Sequence, residues 1–194
     1  MLFVMSLKIA FVSALELEHN NTEMLAGHSV HITGLGKILA ASKMTEIICL
    51  HKPDLVVNFG SCGNLKSHKV GEILKVGKVH NDIDGRPLTE YGVTPFSNHG
   101  IITLDASSDI HCFTTDHFYD KVLHTDYRLK YLDMIASCNI VDMECYALAS
   151  VCEKYNVPFH SYKWVSDDGE SFDWRTNAAI GFENFKKMME ETKF

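Results

Sequence analysis

The sequence predicts an α/β domain of three layers, helices covering both faces of a central sheet. Two observations carry this. Strand-like apolar runs alternate along the chain with longer helix-like segments, the pattern of an α/β fold. One run, Leu55 to Gly60 (LVVNFG), is apolar on both faces, as a central strand covered on both sides requires. The 194 residues, 46% of them hydrophobic, suffice to bury one core. No repeat, low-complexity stretch or linker divides them, so residues 1–194 are expected to form one domain.

The elements follow in order. Leu7 to Ser13 is expected as a buried strand and His28 to Thr33 as a second. Gly34-Leu-Gly-Lys37 makes a turn into a helix over Lys37 to His51. Ile38, Ala41, Ile47, Ile48 and Leu50 supply its packed face, though not as a clean stripe. Pro53-Asp54 opens the strand that runs through LVVNFG to Ser61-Cys-Gly63. One or two strands fall within Lys69 to Val79, and His80 to Asn98, with Gly85, Pro87, Gly92 and Pro95, is a long loop. A short strand spans Gly100 to Leu104, and one or two helices lie in His117 to Ala136. Asn139 to Asp142 is a strand, Met143 to Tyr155 a helix, Pro158 to Ser166 a strand and Asp173 to Thr192 the last helix.

Composition narrows the function. A formal charge of −7, with no basic run in the sequence, argues against a nucleic-acid binder, which needs a basic face to neutralise phosphates. No apolar stretch reaches the ~18–20 residues of a membrane helix. The apolar start has no basic leader or small-residue cleavage site, so it is expected to be a strand and not a signal peptide. The six cysteines form no C-x-x-C pair, and free thiols suit a reducing compartment, so the expected location is the cytoplasm. Eleven histidines show no ligand spacing, so no metal and no cofactor is expected. Gly34-Leu-Gly-Lys37 lacks the spacing of a phosphate-binding loop.

In open α/β sheets the ligand sits beyond the carboxyl ends of the strands. The polar residues that close the strands are therefore the candidates: Glu18, Ser61, Glu144 and Asp167. Taken singly, each has a plainer reading. Glu18 would be a solvated acid, Glu144 a helix cap, Ser61 a turn residue, and Asp167-Asp-Gly169 a turn.

Four segments, in order, resemble the nucleoside phosphorylase and nucleosidase superfamily. They are Val12-Ser-Ala-Leu-Glu-Leu-Glu18, Pro53-Asp-Leu-Val-Val-Asn-Phe-Gly-Ser-Cys-Gly63, Val141-Asp-Met-Glu-Cys-Tyr-Ala-Leu-Ala149 and Trp164-Val-Ser-Asp167. Within it the chain looks most like the 5′-methylthioadenosine/S-adenosylhomocysteine nucleosidases, in a compact form. The resemblance implies a nucleoside phosphorylase-like fold with a central mixed sheet. It implies an enzyme that hydrolyses the N-glycosidic bond of a purine nucleoside. Residue by residue, Asp167 would act as the acid at purine N7 and Glu18 would activate water. Met143 and Glu144 would hold the ribose with Asp142 beside them, Phe118 would stack on the base, and Ser61 and Ser166 would line the pocket. It further implies a homodimer, the partner lending an apolar wall to the 5′ pocket.

The chemistry suits these residue types, because an oxocarbenium-like transition state calls for an acid and a base on opposite sides of the bond. The sequence departs from the family pattern at three places. Thr115-Asp-His-Phe118 lacks the usual glycine, Asp142 stands for a glutamate, and the loop from His80 to Asn98 is short. Two alternatives stand beside hydrolysis: a purine nucleoside phosphorylase, and a nucleoside-binding relative without catalysis. A phosphorylase needs cations for its dianionic nucleophile. Of Arg86, Arg128 and Arg175, none lies at a strand end beside these motifs, which favours hydrolysis. Arg86, in the variable loop, is the one that could reach a neighbouring pocket or a substrate phosphate. The 5′ substituent is left open.

Overall fold

A computed structural model of the chain describes residues 7–97, 100–119, 135–167 and 174–192. Among the described residues, ten strands form one mixed sheet. They are β1 (Ile9–Ser13), β2 (Met24–Leu25), β3 (His28–Ile32), β4 (Leu55–Asn64), β5 (Ile73–Lys75), β6 (Lys78–Asn81), β7 (Ile102–Thr103), β8 (His111–Thr114), β9 (Ile140–Asp142) and β10 (Phe159–Asp167). Helices whose bounds lie among the described residues are α1 (Lys37–His51), α2 (Cys145–Lys154), the short α3 (Trp174–Asn177) and α4 (Phe182–Glu191).

β4 is the hub. Its first half pairs in parallel with β1, and β10 runs parallel along its other side. At its far end, Gly63 and Asn64 pair antiparallel with Val141 and Ile140 of β9. β9 therefore turns its carboxyl end toward the middle of β4, where β1 has already stopped. β10 carries a bulge here: Val165 pairs with Cys62 and Asp167 with Gly63, leaving Ser166 as the extra residue. Bulges of this kind re-aim side chains, and this one sits under Asp167.

Side chains alternate between two cores. Ala10, Val12, Val56 and Val165 point to one face, with Ala40, Met44 and Ile47 of α1 and Cys145, Leu148 and Cys152 of α2. Phe11, Val57, Phe59 and Trp164 point to the other, against Phe182, Phe185 and Met189 of α4. This two-sided cover is why LVVNFG presents apolar residues to both faces, and it is the three-layer arrangement expected from the sequence.

Some elements differ from the sequence reading. α1 has the expected bounds, but its packed face is Ala40, Met44, Ile47 and Ile48; Ile38 is 83% and Leu50 69% exposed. β8 falls where no strand was expected, its Cys112, Phe113 and Thr114 all buried. The last helix is two. Between them Ala178 O accepts the Trp164 indole N–H at 2.8 Å, and at Gly181 an added Cβ would lie 2.2 Å from the Trp164 ring. The chain breaks its helix to seat that indole. Most of the helical region expected over His117 to Ala136 lies outside the described residues, as do Asp168, Asp173 and Arg128.

Candidate active site

One cleft collects the strand ends. Glu18, Ser61, Phe118, Asp142, Met143, Glu144, Ser166 and Asp167 all line it, so every residue singled out in the sequence reaches the same space. Counting its open mouth and the solvent space before it, the cleft spans about 660 Å³.

Glu18 is buried in a 3-10 turn just past β1. Its Oε1 accepts from the Ser61 backbone N–H and the Ser61 hydroxyl, both at 2.8 Å. Its Oε2 accepts from Ala14 N and Leu15 N, and lies near Ser13 Oγ, each at 3.2 Å. Every partner is a donor, which suits a carboxylate used as an acceptor. Gly60 makes the approach feasible, since a Cβ there would meet Glu18 Oε1 at 2.9 Å. Gly60 and Ser61 are thus strand residues held against the acid, not a turn.

Asp167 ends β10, buried, with Oδ2 2.9 Å from the Ser166 hydroxyl. Ser166 Oγ also lies 3.1 Å from Cys62 O. Ser166 has one hydroxyl proton for these two neighbours. When it goes to Cys62 O, the contact with Asp167 is a hydrogen bond only if Asp167 is the donor.

Glu144 stands at the N-cap of α2, but its side chain does not cap the helix. Its Oε1 accepts from Gly36 N at 2.9 Å, which places the Gly34–Lys37 turn on the cleft rim. Burial first, and then the Asp142 charge, push its carboxyl up to about 8.

Capping falls to Asp142, whose Oδ2 accepts from Cys145 N at 2.9 Å. The same oxygen pairs with Lys163 Nζ at 2.8 Å, and Oδ1 accepts from Thr114 Oγ1 at 2.7 Å. Asp142 touches the cleft, yet its carboxylate is engaged with the protein. Burial works against both charges of this pair. Their mutual attraction outweighs it, holding Asp142 below the usual carboxylate range and Lys163 well above the usual lysine value.

At the mouth, Phe118 is 50% exposed and meets the Trp174 ring edge-on at 6.0 Å. Its segment is tied down, since Lys37 N donates to Asp116 Oδ1 at 3.0 Å and Thr115 Oγ1 to Asp82 Oδ2 at 2.6 Å. Arg86 is not among the lining residues; it forks onto Asp84, with Nε and NH2 each at 2.7 Å. Among the described residues the lining carries no lysine or arginine.

Two participants were not singled out in the sequence. Trp174 lines the cleft and donates its indole N–H to Ser61 Oγ at 3.1 Å; an aromatic just past a polar turn was the signal. Lys163 sits within a buried strand, and a charge in such a run demands a buried partner.

Comparison with known proteins gives the following. The model of the Phosphorylase superfamily matches residues 21–192. The 5′-methylthioadenosine/S-adenosylhomocysteine nucleosidase of Bacillus cereus strain G9842 is 31% identical over 195 residues, covering 88% of this chain and 84% of that protein. Among solved structures, the Neisseria meningitidis nucleosidase of that name, in complex with methylthio-immucillin-A, superposes with a TM-score of 0.79 at 20% identity, covering 95% of this chain and 99% of that one. Futalosine hydrolase of Helicobacter pylori strain 26695 does so with 0.77 at 17%, covering 97% and 99%. At those identities the two structures speak to the fold.

Proposed function

The chain belongs to the phosphorylase superfamily, as a nucleosidase that hydrolyses the N-glycosidic bond of purine nucleosides, and we propose that its substrate is a 6-aminopurine nucleoside with a 5′ thioether, 5′-methylthioadenosine or S-adenosylhomocysteine. The observation that carries this reading is the convergence of Glu18 and Asp167, from different strand ends, on the cleft that also holds Met143 and Glu144.

The attacking water lies against Glu18 and Ser61. Its oxygen bonds to C1′ while its proton passes to Glu18. The C1′–N9 bond breaks, its electrons leave on the purine, and Asp167 protonates N7. Ser166 serves both states of the acid. It turns its proton to Cys62 O while Asp167 is neutral, and to Asp167 once the carboxylate forms. Glu144 and Met143 hold the sugar, and Phe118 lies against the base. Asp142 acts through Glu144, by fixing the head of α2. Leu15, Leu35 and Tyr119 add apolar wall for a thioether tail.

Water, not phosphate, is the nucleophile. A phosphate dianion buried without cations is costly. The described lining offers no lysine or arginine, while Glu18, Glu144 and Asp167 present carboxyl groups. Of the lysines near the cleft, Lys163 is committed to Asp142 and Lys37, on the rim, to Asp116. A homodimer would cover the exposed Leu35, Ile38 and Leu39 beside the cleft, and sedimentation should then report a particle of two chains; one chain at assay concentrations would remove that part. The activity is tested by base release across 5′-methylthioadenosine, S-adenosylhomocysteine, adenosine, inosine and uridine. The two thioethers should lead, and uridine turned over as fast as they are would overturn the purine assignment.

A further inference from the structure

Resting on the hydrolytic reading above, we infer that Trp174 is a specificity-determining residue that limits the nucleophile to water. Three placements support this. Its indole N–H donates to Ser61 Oγ at 3.1 Å, and the Ser61 hydroxyl donates to Glu18 Oε1 at 2.8 Å, so the ring stands two hydrogen bonds from the base. Its ring also meets Phe118 edge-on at 6.0 Å, closing the cleft between the base and the mouth. Finally, α3 is bolted to the strand of the acid. Asn177 Nδ2 donates to Ser166 O at 2.9 Å, and Ala178 O receives the Trp164 indole. A rigid indole thus stands over the Ser61 and Glu18 side of the cleft, where the nucleophile enters.

The chemistry makes this measurable. A nucleosidase that admits methanol forms a methyl glycoside. The methanol oxygen bonds to C1′, its proton passes to Glu18, the C1′–N9 bond breaks and the purine takes its proton from Asp167. Methanol differs from water by one methyl group, and a tight pocket discriminates over such a group by roughly 10-fold or more.

The experiment is product analysis of purine nucleoside cleavage in water–methanol mixtures, for the unaltered protein, Trp174→Phe and Trp174→Ala. The unaltered protein should release mainly free sugar, with a small, measurable ratio of methyl glycoside well below the methanol share of the solvent. Trp174→Ala should raise the ratio of methyl glycoside to free sugar by about 10-fold or more. Trp174→Phe keeps an aromatic wall without the N–H, so its ratio should stay at the original value while kcat falls about 2–10-fold, the worth of one hydrogen bond. The ratio is set per turnover and ignores any unfolded fraction, so a merely structural role would lower the rate and leave the ratio alone. A ratio unchanged in Trp174→Ala overturns the inference. So does methyl glycoside from the unaltered protein in proportion to the methanol present, a result that needs no variant. No base release from any nucleoside would instead remove the hydrolytic reading itself.

Discussion

At Glu144, burial and the Asp142 charge lift the carboxyl to about 8, so it holds a proton at neutral pH and still accepts from a sugar hydroxyl. This has a cost that pH reveals. The unfolded chain releases this proton near 4.5, the ordinary value for a glutamate, whereas the folded chain keeps it until about 8. Across that window the folded state binds more protons, so stability falls as pH rises, by up to about 1.4 kcal/mol per pH unit, and levels off above it. Glu144→Gln keeps the acceptor for Gly36 N and removes the titration. Its melting temperature should match that of the unaltered protein at the acidic end and exceed it at the alkaline end; parallel melting curves across the window would contradict the assignment. For Asp167, the isosteric Asp167→Asn should lose ~10²–10⁴-fold in turnover while still folding and binding, and near-normal turnover would remove it as the acid. Which acids reach the cleft was legible in the sequence, because strand ends in an α/β sheet converge. What each acid touches was not. Asp142 and Glu144 are two residues apart, yet one faces Lys163 and the other Gly36. No local pattern encodes a partner on another strand.

Among the elements, β9 and β10 flank β4, and the Asp142–Lys163 pair ties one to the other with both side chains buried. Lys163→Met leaves the buried Asp142 without its counter-charge, and should cost about 3–5 kcal/mol by denaturant unfolding. Adding Asp142→Asn should recover most of that loss. A double variant no more stable than the single would show that the pair is not the unit of stability. Element boundaries were legible where the backbone is punctuated. α1 runs from Lys37 to His51 because Gly36, at φ 85°, turns the chain into it and Lys52, in the left-handed region before Pro53, turns it out. The face it buries was not legible, since its exposed apolar residues blur the stripe. β8 escaped because its alternation is disguised: Thr114, polar in sequence, is buried and bonded to Asp142.

On the scale of the molecule, the layers put two aromatic and aliphatic cores behind one cleft, and the charge follows the same design. The chain is acidic overall, and its cleft brings carboxyl groups together with no lysine or arginine among the described lining residues. Such a site favours a neutral nucleophile. The central claim, hydrolysis of a purine nucleoside, is tested most directly by identifying the sugar product of 5′-methylthioadenosine cleavage in buffers with and without phosphate. Free adenine and free 5-methylthioribose should form in equal amounts at a rate that phosphate does not change. A sugar 1-phosphate, or turnover that appears only when phosphate is added, would contradict the account.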